Sequence, residues 1–271
     1  MDDRPVAPTP TGLAKVAFRG GGFATSPRPL WSWLGFVCIV ALWQLSGSLG
    51  WVSPIFLPAP SAIVEALWNL AASGDLWTHL SASLGRIGFG WLIGSALGLV
   101  VGVAMGLSPI ARAVSMPLVS ALYPVPKIAL LPLLILWMGI GETPKVFTIA
   151  AGVFFPTVIA TLGGVDATPR NLVRMAQSFN LPTWAVVWKV ILPSSLPGIL
   201  AGFRISLASA LILVVAAEMI GAQYGIGAFL LTAGNLMQSA DLLAGVVALS
   251  ALGLVFGGAL SWMERVFLAW R

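Results

Sequence analysis

Lys127 stands beside a proline break in the run YPVPKIALLPLLILWMGIGE, and Glu218 stands toward the end of another long apolar run. An ionisable side chain inside such a run is costly and functional by default. Lys127, next to Pro126, could attract an anion, or it could snorkel or pair with a carbonyl freed by the prolines. Glu218 could pair with Arg86 or Lys145 as a gate, and it would be a poor direct ligand for an anionic solute. Lys127, Pro126 and Glu218 are therefore the candidate residues of a translocation pathway or gate. Glu142 and Lys145 flank an outer turn and read as solvated, or else as a contact for a soluble partner. The single histidine, His79, lies near Asp75 and reads as surface, and the single cysteine, Cys38, cannot form an internal disulfide. No His, Cys and carboxylate cluster occurs at ligand spacing, so no metal site is expected. The only histidine lies outside the apolar runs, which argues against an enzyme built into them. The chain also lacks a GxxxxGK[ST] phosphate loop and is not expected to bind ATP.

Chemistry-bearing residues are scarce because the rest of the chain is hydrocarbon. Of 271 residues, 58% are hydrophobic and only 8% charged, with a mean hydropathy of +0.97. A soluble domain carries about 25% charged residues, so this is an integral membrane protein. Six runs are long enough to cross a bilayer as helices: roughly 30–50, 83–107, 116–138, 145–164, 197–220 and 243–262. The expected fold class is all-α, a polytopic membrane protein with six transmembrane helices. Residues 1–29 are rich in Pro, Gly and Ser/Thr and carry Arg4, Lys15, Arg19 and Arg28. They read as a disordered cytoplasmic arm rather than a cleaved leader, leaving 30–271 as the transmembrane domain.

The cations set the orientation. With both termini cytoplasmic, the inner side holds those four with Arg112, Arg170, Arg174, Lys189, Arg204, Arg265 and Arg271, leaving only Arg86, Lys127 and Lys145 elsewhere. The net charge of +5 is thus a topology signal, and no basic face suits nucleic acid. In the second run Gly90, Gly94, Gly98, Gly102 and Gly106 recur every four residues, a stripe that lets another helix approach closely, within the subunit or between subunits. In the third, Pro124, Pro126 and Pro132 predict a kink beside a pathway.

The longest inner loop, 165–196, is amphipathic. Leu172, Met175, Ala176 and Phe179 share one helical stripe, and Trp184, Val187, Trp188 and Ile191 share a second. Thr168 is placed to cap the first helix with Pro169 at its first position. Asn180 suits a left-handed bend, and Pro193 would end the second helix. The pattern predicts two short helices with apolar faces against the membrane domain and a bend projecting into the cytoplasm. Lying on lipid is the alternative.

This loop resembles the EAA loop of binding-protein-dependent ABC importer permeases. Ala176 matches the second alanine of that motif, and Val190, Ile191, Leu192 and Pro193 match its ending, while Arg174 replaces the usual Glu and Asn180 the usual Gly. The segments LPAPSAIVEAL, SLGRIGFGWLIGSALGLVVGVAMG, PKIALLPLLILWMGIGETPKVF and AAEMIGAQYGIGAFL resemble the nitrate, sulfonate, taurine and bicarbonate subgroup. The resemblance implies a type I ABC importer-like permease fold in the bacterial inner membrane. It implies no cofactor in this chain, with ATP and Mg bound by two copies of a partner ATPase. It also implies a second permease subunit, expected to be an identical copy in a homodimer, and an extracytoplasmic solute-binding protein. Docking to the ATPase would fall to Arg174, Met175, Ala176, Gln177, Ser178, Phe179, Asn180, Leu181 and Pro193. The solute could be a sulfonate, taurine, nitrate or bicarbonate. A thiamine or riboflavin precursor is the alternative within the family, and an ion-coupled secondary transporter the alternative outside it.

Overall fold

The computed structural model describes residues 29–269, so the expected arm lies outside the described residues except for Pro29, which opens the first helix. Among the described residues every regular element is helical. Helix α1 spans Pro29–Ser48, α2 Pro60–Ser73, α3 Asp75–Leu107 and α4 Pro109–Leu122. A 3-10 turn, Lys127–Leu130, leads into α5, Leu131–Met138, followed by α6, Glu142–Asp166. Then come α7, Arg170–Ser178, and α8, Thr183–Val186, which passes through a π turn at Val187–Ile191 into α9, Leu192–Met219. Helices α10, Ile226–Asn235, and α11, Ser239–Phe267, complete the chain.

Local signals delimit these helices. Pro60 and Pro109 occupy first turns, where a missing N–H costs nothing. Gly74, at φ +89°, closes α2 in the left-handed conformation. The Ser108 side chain caps α4 by accepting from the Ala111 N–H (3.3 Å).

Five helical stretches are long and apolar enough to cross a membrane, and α4 with the segment Lys127–Met138 makes a sixth that is bent by 85°. The expected run 116–138 is therefore a broken element rather than a kinked helix. Pro124 and Pro126 remove two N–H donors that a continuing helix would need, so α4 stops. Pro132 sits in the first turn of α5, where it is tolerated.

The core is built on α3, α6 and α9. Helices α3 and α6 run parallel, and each glycine of the four-residue stripe faces α6. A Cβ at Gly90 would meet Ile149, at Gly94 the Ala150 carbonyl and Val153, at Gly98 Phe154 and Thr157, at Gly102 Thr161, and at Gly106 Val165. The stripe thus serves packing within the subunit. A second close approach joins α6 to α9, where Gly164 and Gly198 meet backbone to backbone. Ile87, Ile149, Val153, Leu207, Ala210, Val214 and Leu252 fill the centre of the bundle. Met105, Val119, Phe155, Val158 and Leu162 seat α4.

One further expectation is corrected. Pro193 does not end the helix after the bend. The π turn shifts the hydrogen-bond register just ahead of the proline, where a missing N–H and a ring clash would otherwise break it. One apolar helical stretch consequently runs from Thr183 to Met219. Between α9 and α11 the segment 221–242 contains a short helix, α10.

Candidate functional site

Helix α3 brings Ser83 and Arg86 onto one face, three residues apart. The first residue of α6 is Glu142, and the last turn of α9 carries Glu218. These side chains converge with the segment 224–227 in a buried ionic cluster. The Glu218 carboxylate accepts from Ser83 Oγ (2.8 Å), Arg86 Nη1 (2.7 Å) and the Gly227 N–H (2.8 Å). Ser83 Oγ in turn accepts from the Ile226 N–H (2.9 Å). Arg86 Nη1 also donates to the Tyr224 carbonyl (2.7 Å), while Nε and Nη2 grip Glu142 with two bonds of 2.5 and 2.7 Å. Arg86 and Glu218 are 4% and 1% exposed, so each offsets part of the other's desolvation cost. Of the two cations that the sequence left open as partners of Glu218, Arg86 and Lys145, the structure pairs it with Arg86.

Two other residues at this end of the bundle differ from their expected surroundings. Lys145 is buried rather than solvated, with its ammonium 3.9 Å from Glu142. His79 is half-buried rather than surface. Its Nδ1 lies 2.9 Å from the Gly225 carbonyl oxygen and 3.1 Å from the Gly225 nitrogen, the tautomer deciding which bond forms, and its ring lies 5.4 Å from that of Phe229. Ser83, Gly225 and Gly227 were not identified from sequence. The position of Ser83 one turn before Arg86 was the available signal. Gly225 has φ +132°, and a Cβ there would strike the Glu218 carboxylate. Only glycine lets this loop close over the acid.

Lys127 lies at the elbow between α4 and α5. Its ammonium donates to the carbonyls of Leu122 (2.7 Å), Tyr123 (2.7 Å) and Val125 (2.8 Å) and lies 4.5 Å from the centre of the Phe155 ring. The ammonium thus gathers carbonyls from the last residue of α4 and the segment after it, of which Leu122 also accepts from the Val125 N–H (3.2 Å). Pro126, at φ −69°, directs the chain into the 3-10 turn. Lys127 and Glu218 share no hydrogen-bonding partner, so the structure places these expected pathway residues in separate clusters.

The third feature is the bend after α7. Asn180 adopts φ +58°. The Leu181 N–H reaches the Ala176 carbonyl (3.3 Å) and the Asn180 N–H the Gln177 carbonyl (2.8 Å). This pair of bonds is a Schellman motif. Ser178 Oγ donates back to the Arg174 carbonyl (3.0 Å). Ala176 is buried, α7 packs against α8 and the π turn, and Arg174 and Gln177 are exposed. The apolar stripes do not lie against the bundle as expected. Met175 is 55% exposed, Phe179 73%, Trp184 65% and Trp188 67%. Nor does Thr168 cap α7: Pro169 takes the cap position, and the Thr168 hydroxyl is buried without a hydrogen-bond partner. Pro193 lies inside the continuous helix, away from the bend.

At the end of the bundle opposite Arg86, Arg112 pairs with Asp166, and Arg204 donates to Glu264 (2.6 Å). These ion pairs fasten α4 to α6 and α9 to α11.

Residues 94–269 match the family described as binding-protein-dependent transport system inner membrane component. The chain is 39% identical over 239 residues to the putative aliphatic sulfonates transport permease protein SsuC of Escherichia coli, covering 88% of this chain and 91% of the relative. It is 36% identical over 238 residues to the taurine transport system permease protein TauC of the same organism, covering 86% of each. Among solved structures, the inward-facing MetNI methionine ABC transporter aligns with a TM-score of 0.59 at 21% identity, over 74% of this chain and 96% of that one. That likeness supports the type I importer permease fold. The family also decides against an ion-coupled secondary transporter, and it implies an ATPase and a binding protein as partners in the inner membrane. With its bundle of apolar spans and its match across most of its length, the chain belongs to the binding-protein-dependent transport permeases and is the membrane component of an ABC importer.

Proposed function

We propose that two copies of this chain form a homodimeric pathway for taurine or another aliphatic sulfonate, driven by two ATPase subunits that bind ATP and Mg. The substrate class rests on the sulfonate and taurine relatives at 39% and 36% identity. Both termini face the cytoplasm in this reading. The excess of Lys and Arg on that side supports it.

The observation that carries the mechanism is the exposed, rigidly turned bend. Arg174, Met175, Gln177, Ser178, Phe179, Asn180 and Leu181 surround the buried Ala176 and present apolar and polar groups outward. Such a knob suits a cleft on a soluble motor. From the bend, one helical stretch continues from Thr183 to Met219 and carries Glu218 at its far end. At 1.5 Å per residue it is about 55 Å long, more than the thickness of a bilayer core. Closure of the ATPase pair would move the bend, and the helix would transmit that motion to the outer cluster. Pro193 contributes through this helix rather than through the bend itself. Lys127 and Pro126 contribute by holding the elbow that borders the pathway.

The test is reconstitution of the chain with its ATPase and binding protein in vesicles. ATP-dependent uptake of labelled taurine or an alkanesulfonate is the expected result. Uptake of nitrate or bicarbonate with none of any sulfonate would overturn the substrate assignment.

A further inference from the structure

Two buried cations face a single exposed carboxylate at the outer end of the bundle. The Arg86 side chain is 5% exposed and that of Lys145 5%, whereas that of Glu142 is 63% exposed. Arg86 is secured from behind by Glu218 and the Tyr224 carbonyl, and neither of those contacts depends on Glu142. Lys145 has Glu142, at 3.9 Å, as its ion-pair partner among the described residues. Glu142 is also the first residue of the 25-residue helix α6, whose N-terminal N–H groups favour negative charge. Beside it lies an apolar groove of about 330 Å³ lined by Phe89, Ile93, Val146, Phe147 and Ala150.

We propose that Glu142 is an exchangeable counter-ion, and that an incoming sulfonate displaces it from Arg86 and Lys145 to form a receiving site at the outer mouth. Two sulfonate oxygens can reproduce the two-bond grip that the Glu142 carboxylate makes on the guanidinium. The alkyl portion of the solute has the adjoining groove. Glu218 stays bound throughout, keeping Arg86 oriented and charged. Burial of the cations concentrates their field on the one opening that Glu142 covers. Glu142 thereby stops Lys145 from being left as an uncompensated charge between solute molecules. This inference rests on the sulfonate reading and on the outward placement of this end of the bundle.

The test uses the permease–ATPase complex with Cys38 replaced by serine and Glu142→Cys introduced. Labelling rates are measured with a sulfonate-bearing and a trimethylammonium-bearing methanethiosulfonate, each normalised to its rate on a free thiol. A charged pocket of this kind is expected to favour the sulfonate reagent by about tenfold or more. Millimolar methanesulfonate should slow labelling severalfold, and neutral dimethyl sulfone should not. Adding Lys145→Met should reduce the preference. A normalised ratio of one or less, or no protection by any anion, would overturn the receiving site. Protection by nitrate but not by methanesulfonate would keep an anion site and sink the sulfonate assignment. Glu142→Gln in the otherwise native complex supplies a second measurement. Uptake should show a changed KM for solute with ATP hydrolysis retained, and an unchanged KM would count against the exchange.

Discussion

Glu218 shows what a single buried acid can organise. It joins α3, α9 and the start of α10 through four hydrogen bonds from Ser83, Arg86 and Gly227. Removing one partner of a buried pair costs about 3–5 kcal/mol, because the other charge is left uncompensated. Arg86→Met should therefore lower the thermal midpoint of the detergent-solubilised chain more than Glu142→Gln, which alters an exposed partner. Gly225→Ala should behave like a cluster mutation, since its Cβ would collide with the carboxylate; an unchanged midpoint would refute that role. Lys127 makes a different case. Lys127→Met removes three hydrogen bonds to carbonyls at the elbow, of which only the one to Val125 is partly buried, so the loss in stability should be modest. Lys127→Gln keeps donor capacity and removes the charge. If the charge attracts solute, uptake should fall in the Gln variant while stability holds; if Lys127 serves only the elbow, uptake should follow stability in both variants.

The elements divide into packed helices and a turned connector. Along α3 the glycine stripe brings two backbones together, and even a methyl group at Gly94 or Gly98 would press on a carbonyl of α6. Overpacking of this kind costs about 1–3 kcal/mol. Gly98→Leu should reduce the yield of folded protein, measured as the monodisperse fraction after solubilisation, far more than Gly35→Leu on α1, where the surrounding space is open. The bend between α7 and α8 depends on φ rather than on burial. Asn180→Gly should retain uptake, because glycine accepts the left-handed conformation without strain. Asn180→Pro fixes φ near −65° and deletes the N–H that bonds Gln177. Vesicles carrying it should hydrolyse ATP without importing solute, and normal import would remove the bend from the docking surface.

At the scale of the molecule, charge is stratified. One ionic cluster joins α3, α6 and α9 at one end, while Arg112–Asp166 and Arg204–Glu264 close the other. Between them the described interior is apolar, apart from small hydroxyl residues such as Ser95 and Thr157. The topology predicts that a cysteine at position 180 is labelled by impermeant reagents only from the cytoplasmic side, and one at position 140 only from outside. The reverse pattern would invert the assigned orientation and with it the solute's direction of approach.

The sequence alone determined the features that depend on local chemistry or simple period. Asn180 was legible because few residues other than glycine tolerate φ +58°. The α3 stripe was legible because a four-residue repeat falls on one helix face, and the elbow was legible because prolines cannot continue a helix. The continuation through Pro193 was not legible, since a π turn relieves the break by a register shift that no local motif announces. Apolar periodicity at Trp184 and Trp188 identified a face without saying what it faces, and the fold leaves that face uncovered. Arg86 and Glu218 lie 132 residues apart, and Glu218 had two candidate cations. Only the tertiary structure chose between them, because the helix approach set by Gly90 and Gly94 fixes which charges share a buried site and which one, Glu142, remains exposed.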